Sequence, residues 1–366
     1  VRKVYEWMKQ PDRVGLSLRA GEHATTAGDI EQYIDFFDLV FGRRRGKPPE
    51  TWVLGYDYQQ WLRLSGETAA PSRASLEWLL GEEPAALPFP NGSQLKPSAM
   101  TSEGWLGVLY GRPLRAAGTE AYPLPFGDDL KADLYLPAGA KKAPAVIWLH
   151  PYSHATGYSR YSRPVIEELA RRGFAVLCFD QIGFGTRVEH ARQFYERYPK
   201  WSLLGKMVAD TRAAVQALAS LDNIDASRIY LAGFSLGGRV ALWTAAFEPR
   251  AAGVASLGGL WPMKGPQPGT EGLQHFSHLH GLLPRLGFFV GRENELAAGE
   301  EDLPARIAPR PVLLIHGTRD RYAPADRVRQ VKHAEIRTPD EIHRLTPALT
   351  REMAEWLAAR SAQGQR

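Results

Sequence analysis

A serine flanked by glycines, in Gly233-Phe-Ser-Leu-Gly-Gly238, constrains the fold of this chain more than any other feature. The residues around it predict a strand over 228–231 and a helix over 236–247. A serine on so sharp a turn between strand and helix adopts a strained backbone conformation that only small neighbours permit, which accounts for the glycines. The turn therefore predicts a serine hydroxyl exposed at the carboxyl end of a sheet, close to the first backbone N–H groups of a helix.

Apolar strands alternate with helices along the chain on both sides of this turn. The other predicted strands are 124–126, 130–136, 145–149, 174–179, 253–257 and 311–315, and the other predicted helices are 164–172, 203–219 and 346–359. Continuous apolar strands separated by helices indicate an α/β protein with a mostly parallel sheet and helices on both faces. The alternation breaks over residues 261–309, which are rich in Pro, Gly, His and Phe. We interpret this stretch as an inserted lid over the carboxyl ends of the strands.

Composition narrows the classes of partner. The formal net charge is +5, but the basic residues are scattered and the only short run is Arg43-Arg44-Arg45, so we predict no nucleic-acid partner. No apolar run approaches the roughly 20 residues needed to span a bilayer, so we predict no membrane partner. The single cysteine, Cys178, excludes an internal disulfide and leaves the compartment undecided.

Two residues after the serine suit the roles of acid and base. A serine hydroxyl is a poor nucleophile at neutral pH, so it needs a base, and the base needs an orienting acid. Asp320 directly follows a late strand and a small turn, and we predict that it is the acid; the alternative is an aspartate that caps the turn or pairs with a neighbouring arginine. His343, just before the last helix, is the predicted base. His316, beneath the site, and His333, at the surface, are the competing histidines.

Two backbone N–H groups are predicted to stabilise the negative charge that develops when a serine attacks a carbonyl. One belongs to Leu236, the residue after the serine. The other lies in the loop after strand 145–149, where Pro151 has no N–H and Tyr152 is therefore the predicted donor. The alternative for Tyr152 is a ring that lines the pocket.

Aromatic residues and histidines of the predicted lid are candidates for contact with a substrate. The residues that we assign to substrate binding are Trp261, Phe276, His278 and Phe288, with Phe289 as a further candidate. The run His275-Phe-Ser-His-Leu-His280 could suggest a metal instead, but its spacing matches no common zinc signature and it brings no cysteine or carboxylate. We predict neither a metal nor a cofactor.

From about Glu120 onwards the chain resembles the bacterial α/β-hydrolase esterases grouped with dienelactone hydrolases and acetyl xylan esterases. The matching stretches are Trp148-Leu-His-Pro-Tyr-Ser-His-Ala-Thr-Gly157, Asp180-Gln-Ile-Gly-Phe-Gly-Thr-Arg187, Gly233-Phe-Ser-Leu-Gly-Gly238 and Ile307-Ala-Pro-Arg-Pro-Val-Leu-Leu-Ile315. The resemblance implies the α/β-hydrolase fold, with Ser235, Asp320 and His343 as nucleophile, acid and base. Dienelactone hydrolases proper use a cysteine where this chain has serine, which favours ordinary esters. Glucuronoyl esterases usually carry an arginine where Leu236 stands, which weakens a claim on uronate esters.

The first 65 residues resemble a different part of such an enzyme, the C-terminal tail of glucuronoyl-esterase-like hydrolases. A predicted strand over 14–18, a loop that carries His23 and an amphipathic helix over 29–41 capped by Asp29 follow the order in which an α/β-hydrolase ends. We interpret residues 1–65 as the remnant of a preceding hydrolase domain, 66–104 as a linker and 105–366 as the catalytic domain. His23 is predicted not to be catalytic, and an ordinary N-terminal extension is the alternative.

These residues together predict a serine carboxylic-ester hydrolase that acts through an acyl-enzyme on small, acetyl-like acyl groups. The expected substrate is a small-molecule or carbohydrate ester, and association with a preceding hydrolase domain or another copy is an open expectation. The resemblance alone favours a secreted or periplasmic location. Because a fold does not fix the leaving group, a peptidase or thioesterase stays open as an alternative, and so does a non-catalytic binding module.

Overall fold

The computed structural model describes residues 2–17, 25–49, 56–84, 114, 116–127, 130–153, 156–191, 194–265 and 272–363. The chain forms two compact units, Val1–Tyr56 and Asp57–Arg366. The division falls before the helix Tyr58–Ser65, so this helix belongs to the second unit, whereas the sequence assigned it to the first segment. The start of the catalytic domain, predicted at residue 105, lies outside the described residues.

The described residues of the first unit form helix α1 (Arg2–Trp7), a 3₁₀ turn at Pro11–Arg13 and helix α2 (Ala27–Val40). Helix α2 begins earlier than predicted because Thr26 caps it. The Thr26 hydroxyl accepts the N–H of Asp29 at 3.3 Å, and the Asp29 carboxylate accepts the N–H of Thr26 at 2.7 Å. Such reciprocal bonds form a capping box, so Asp29 stabilises the first turn of the helix without being its cap.

The strand predicted over residues 14–18 is not seen in its described part. Residues 14–17 make a single bridge, in which the N–H of Leu16 donates to the carbonyl of Pro49 at 2.8 Å. His23 and the loop over 18–24 lie outside the described residues. The origin of this segment in a preceding domain therefore stays a prediction.

The second unit is built on one eight-stranded sheet. Its strands are β1 (Thr119–Phe126), β2 (Leu130–Pro137), β3 (Ala143–Leu149), β4 (Ala175–Phe179), β5 (Ile224–Phe234), β6 (Gly253–Leu257), β7 (Val312–Ile315) and β8 (Glu335–Arg337). Their order across the sheet is β1-β2-β4-β3-β5-β6-β7-β8. The pairs β1–β2 and β2–β4 are antiparallel and all the others are parallel. The mostly parallel sheet predicted from the sequence is therefore confirmed.

Helices cover both faces of this sheet. The helices of the second unit are α3 (Tyr58–Ser65), α4 (Leu76–Leu80), α5 (Ser159–Ala170), α6 (Phe194–Arg197), α7 (Leu203–Ala219), α8 (Leu236–Phe247), α9 (Leu303–Ile307), α10 (Ala325–Val328) and α11 (Pro347–Gln363). Val146 and Trp148 of β3 share a buried cluster with apolar residues of α5 and α11. Ile147 and Leu149 alternate with them and are equally buried on the opposite face. Helices α7 and α8 pack together on that second face.

Helix α4 lies in residues 66–84, the described part of the predicted linker, and both α4 and the preceding α3 pack into the second unit. Leu76, Leu79 and Leu80 of α4 are buried in the second unit, as is Trp61 of α3. The indole N–H of Trp61 donates to the carbonyl of Pro199 at 2.8 Å. Residues 85–104 lie outside the described residues.

The stretch between β6 and β7 is an insertion made of short helical turns. These are a π-helical turn at His275–Leu279, 3₁₀ turns at Pro284–Phe289, Glu293–Glu295 and Glu300–Asp302, and helix α9. The insertion corresponds to the predicted lid. No helix of the described ranges combines the length and apolar character that a membrane crossing requires.

Candidate active site

Ser235 occupies the turn between β5 and α8, with φ 55° and ψ −120°. Two glycines make the turn possible. A Cβ on Gly233 would lie 2.3 Å from the carbonyl carbon of Gly237, and a Cβ on Gly237 would lie 1.9 Å from the carbonyl oxygen of Leu149. Positive φ costs energy in a serine, so the close packing around the turn holds the residue in this conformation.

Ser235, His343 and Asp320 form one chain of hydrogen bonds. The hydroxyl of Ser235 lies 2.8 Å from Nε2 of His343, and Nδ1 of His343 lies 2.7 Å from Oδ2 of Asp320. A carboxylate only accepts hydrogen bonds, so Nδ1 donates to Asp320 and Nε2 is left to accept the hydroxyl proton of Ser235. The arrangement can remove that proton as the serine oxygen attacks an electrophile.

Asp320 is held in its charged form. Burial alone would raise the pKa of Asp320, but the hydrogen bond and charge of His343 outweigh it, together with the N–H of Tyr322, and the pKa is lowered. The N–H of Tyr322 donates to Oδ1 at 2.8 Å. An ionised Asp320 keeps the proton of His343 on Nδ1 and stabilises the imidazolium that forms when Nε2 is protonated.

The two competing histidines lie elsewhere. His316 is fully buried, and neither of its ring nitrogens has a hydrogen-bond partner among the described residues. Burial lowers the pKa of His316 to about 4, against the opposite effect of Asp320. His333 is exposed in the turn before β8, at φ 62°. The structure thus brings His343, and neither of these two residues, into hydrogen-bond contact with Ser235.

The predicted oxyanion donors both have free N–H groups. Leu236 is the first residue of α8, where backbone N–H groups have no partner within the helix. Tyr152 lies in the loop after β3 and lines the same cavity as Ser235. Within the described part of the chain, no residue accepts a hydrogen bond from the N–H of Leu236 or of Tyr152. Both N–H groups are therefore available to a bound oxyanion.

His150 fixes the loop that carries Tyr152. Its Nε2 accepts the N–H of Gln181 at 3.0 Å, and the side-chain amide of Gln181 donates to the carbonyl of His150 at 2.7 Å. Because Nε2 accepts, the ring proton is on Nδ1, which lies 2.7 Å from the carbonyl of Pro151. Burial, the largest effect, lowers the pKa of this ring and favours its neutral form. No sequence pattern pointed to this role of His150, although the residue stands in one of the quoted stretches.

Asp180 joins the loops after β3 and β4. Its carboxylate accepts the N–H groups of Tyr158 and Thr186 at 2.9 and 2.8 Å. A Cβ on Gly157 or on Gly185 would lie 1.9 or 2.2 Å from a carboxylate oxygen of Asp180, so both glycines make room for it. The two glycines in the quoted stretches were the signal that the sequence offered for this contact.

A cavity of about 390 Å³ opens above Ser235. Trp261 and Phe276 of the insertion line it, as predicted, together with Tyr152 and His343. The remaining described lining residues are Pro151, Tyr161, Phe234, Arg239, Gly258, Leu260, His275, His280, Tyr322 and Ala323. This volume lies within the range of small-molecule binding sites.

His278 and Phe288 do not line this cavity, which corrects their assignment to substrate binding. The ring of His278 stacks on Tyr58 of α3, with 3.8 Å between the centroids. Phe288 packs against Trp61 and Trp78, at 6.2 and 6.4 Å. The physical reason is the docking of α3 and α4, whose aromatic side chains take up the far side of the insertion.

Phe289, the further candidate, also packs against Trp78, with 6.4 Å between the ring centroids. The rings of His275 and His280 lie edge to face, with 4.7 Å between their centroids, while His278 contacts α3. Across the described ranges, the structure gathers no group of three or more potential metal ligands. The histidine run is therefore divided between the cavity and the packing of α3.

Comparison with known proteins agrees with this geometry. The family model of the α/β-hydrolase fold matches residues 144–272. YtaP of Bacillus subtilis, which is named as a hydrolase, is 29% identical over 209 residues, which cover 52% of this chain and 64% of YtaP, less than two thirds of its length. Esterase FrsA of Citrobacter koseri is 24% identical over 318 residues, which cover 81% of this chain and 71% of FrsA.

A solved structure extends the likeness in fold to a larger share of the chain. Acetyl xylan esterase 1 of a Thermoanaerobacterium species superposes with a TM-score of 0.52 at 18% identity, over 85% of this chain and 95% of that one. At this identity the match bears on the fold alone. The chain thus has the α/β-hydrolase fold, and its hydrolase and esterase relatives support an enzyme of the α/β-hydrolase type.

Proposed function

We propose that this chain is a serine esterase that hydrolyses small carboxylic esters through an acyl-enzyme at Ser235. The observation that carries the proposal is the continuous chain of hydrogen bonds from Ser235 through His343 to Asp320. The esterase FrsA among the relatives supports an ester as the substrate.

In the first half of the reaction, Oγ of Ser235 attacks the carbonyl carbon of the ester while its proton moves to Nε2 of His343. The N–H groups of Leu236 and Tyr152 stabilise the oxyanion that results. As this intermediate collapses, the bond to the alcohol oxygen breaks and His343 gives its proton to the leaving alkoxide. The products are a free alcohol and an acyl group bonded to Ser235.

In the second half, a water molecule attacks the acyl carbon and gives a proton to Nε2 of His343. Collapse of the second oxyanion breaks the bond to Oγ of Ser235, which takes the proton back from His343. The carboxylic acid leaves and the starting state is restored. Asp320 stays ionised throughout and stabilises the imidazolium in both halves.

The size and walls of the cavity support a short acyl group. Trp261, Phe276 and Leu260 give it apolar surface, and its volume of about 390 Å³ suits a small ester. An acetyl-like group carried by a carbohydrate or another polar alcohol fits these limits, in line with the resemblance to acetyl xylan esterases.

The test is the hydrolysis of 4-nitrophenyl acetate by Ser235→Ala. Removing the nucleophile is expected to lower kcat by several orders of magnitude while the melting temperature stays close to that of the wild type. Ser227→Ala is the matched control, because Ser227 lies exposed on the same strand and bonds only to the neighbouring Asp225. A panel of acetyl, butyryl and octanoyl esters beside an aminoacyl anilide separates an esterase from a peptidase. Undiminished turnover by Ser235→Ala would refute the proposal.

A further inference from the structure

Arg239 lies one helical turn after Ser235 on α8 and lines the cavity above it. The remaining described lining residues include no lysine, arginine or acidic side chain. The arginine is therefore the one permanently charged group in the described wall of the cavity. The mechanism proposed above assigns it no task.

The guanidinium of Arg239 is fixed on one edge and on one face. Its Nε donates to Oε1 of Glu300 at 2.5 Å, and its central carbon Cζ lies over the ring of Phe276, 4.2 Å from the centroid. A guanidinium stacked on an aromatic ring keeps its orientation, because the contact is both electrostatic and apolar. The side chain is thus held in place before any substrate binds.

Glu300 serves as the support of this arginine and lies behind the cavity wall. It is fully buried and does not line the cavity. Its oxygens accept the indole N–H of Trp243 at 2.9 Å and the backbone N–H of Trp261 at 2.8 Å, in addition to Arg239.

The outer edge of the guanidinium remains unused. Among the described residues, none accepts a hydrogen bond from either terminal nitrogen of Arg239. Two terminal N–H₂ groups on one edge present parallel donors that match the two oxygens of a carboxylate. The cavity therefore contains an oriented, vacant donor pair beside the reacting serine.

The phenol of Tyr152 supplies a second unused donor. Its hydroxyl is buried and has no hydrogen-bond partner within the described part of the chain. Burial raises the pKa of Tyr152, and the positive charge of Arg239 acts in the opposite direction, which indicates that the two groups lie near each other. A buried hydroxyl without a partner costs free energy that a bound acceptor would recover.

We propose that Arg239 and the hydroxyl of Tyr152 form a carboxylate-binding subsite, so that the preferred substrates are esters that carry a free carboxylate on their acyl or alcohol part. The inference rests on the proposed esterase function and narrows its substrate class. A carboxylate in this position pairs with the outer edge of Arg239 and accepts the Tyr152 hydroxyl, while the ester carbonyl lies at Ser235.

The test compares matched charged and neutral esters. The acyl arm uses the mono-4-nitrophenyl ester of glutaric acid against 4-nitrophenyl pentanoate, which has the same chain length. The alcohol arm uses O-acetyl-lactate against its amide. The wild type is expected to favour the charged ester at least tenfold in kcat/KM in one arm, and the arm that shows the preference identifies the part of the substrate that carries the carboxylate.

The variant is the double substitution Arg239→Gln with Glu300→Gln, which removes both charges and leaves no buried carboxylate unpaired. It is expected to reduce the ratio of charged to neutral kcat/KM at least tenfold and to raise the inhibition constant of glutarate by a similar factor. Tyr152→Phe, which keeps the backbone N–H, is expected to reduce the same ratio by a smaller factor. If the double variant does not fold, the ratio of charged to neutral kcat/KM measured for Tyr152→Phe tests the inference on its own.

Arg250→Gln with Glu248→Gln is the matched control. Arg250 pairs with Glu248 outside the described lining of the cavity, so this double substitution also removes one ion pair without changing the net charge, and it should leave the ratio unchanged. The inference is overturned if the wild type does not prefer the charged ester in either arm. It is also overturned if the double variant lowers kcat/KM for the charged and the neutral ester by the same factor. If hydrolysis requires Ser235 but the ratio of charged to neutral kcat/KM is the same in the double variant as in the wild type, only this inference is refuted. If hydrolysis persists in Ser235→Ala, the proposed function is refuted.

Discussion

The imidazole of His343 occupies the space that a side chain on Gly258 would need. A Cβ at residue 258 would lie 2.9 Å from Cε1 and 3.1 Å from Nδ1 of His343. Gly258 has φ +58°, a conformation that favours glycine, and it follows β6 directly. The ring is further held by Phe234, which stacks on it at 5.0 Å, and by the edge of Tyr322 at 4.8 Å. The position of the His343 ring therefore depends on the absence of a side chain at residue 258.

Gly258→Ala is expected to lower kcat about 100-fold, because a displacement of the order of 1 Å disrupts the contacts of His343 with both partners. Gly139→Ala is the control. It also has a positive φ, +74°, but a Cβ there meets no atom within 4 Å. Both substitutions place a side chain at a residue with positive φ, so both introduce backbone strain. The difference between the two variants in kcat and in melting temperature therefore isolates the contact with His343. Equal losses of kcat in the two variants would contradict this role.

His316 is expected to make stability depend on pH. Its pKa is lowered by burial to about 4 in the folded chain, from an ordinary value of 6.5. Above pH 6.5 the ring is neutral in both states, and as the pH falls towards 4 only the unfolded chain takes up a proton. Stability is therefore lost on acidification, by about 2 kcal/mol between pH 8 and pH 5.

Urea unfolding of the wild type and of His316→Asn at pH 8 and pH 5 measures this contribution. The difference in the free energy of unfolding between the two proteins should shift by that amount in favour of the variant at pH 5. A difference that does not change with pH would mean that His316 titrates normally in the folded state.

Phe276 and Phe288 are expected to respond differently to removal. Phe276 lines the cavity, so Phe276→Ala should raise the ratio of kcat/KM for butyryl to acetyl esters about tenfold by enlarging the acyl site. Phe288 packs on Trp61 and Trp78, so Phe288→Ala should leave that ratio unchanged and lower stability by about 1–2 kcal/mol. The measurements are the butyryl-to-acetyl ratio of kcat/KM and the urea midpoint of each variant. An equal change of this ratio in the two variants would argue against the assignment of Phe276 to the cavity and Phe288 to the packing of α3 and α4.

Local sequence patterns encode several parts of the candidate site. The strand, turn and helix around Ser235 follow from apolar periodicity and from glycines a few residues apart. Asp320 and His343 stand where a strand end and a loop before the last helix place them, and the structure joins them to Ser235. Their catalytic roles remain the proposal made above.

Contacts between residues that are far apart in the chain could not be predicted from such local patterns. Arg239 and Glu300 are 61 residues apart, and nothing in the periodicity of either segment relates them. The same holds for α3, whose Tyr58 stacks on His278 and turns it away from the cavity. A stretch rich in Pro and Gly predicts a connection, but burial of its few apolar residues depends on the surface that it meets.

The proposed mechanism requires a covalent intermediate at Ser235. During turnover of an ester, an acyl-enzyme forms in the first half-reaction and is destroyed in the second. Acid quenching within the first turnovers traps it, since the ester bond to serine survives at low pH.

The most direct measurement is therefore peptide mass spectrometry of the enzyme quenched during hydrolysis of 4-nitrophenyl acetate. The proposed mechanism predicts one acetyl group per chain, on the peptide that contains Ser235, and none on that peptide in Ser235→Ala. Release of 4-nitrophenol with an unmodified Ser235, or an acetyl group on another residue that turns over at the same rate, would contradict it.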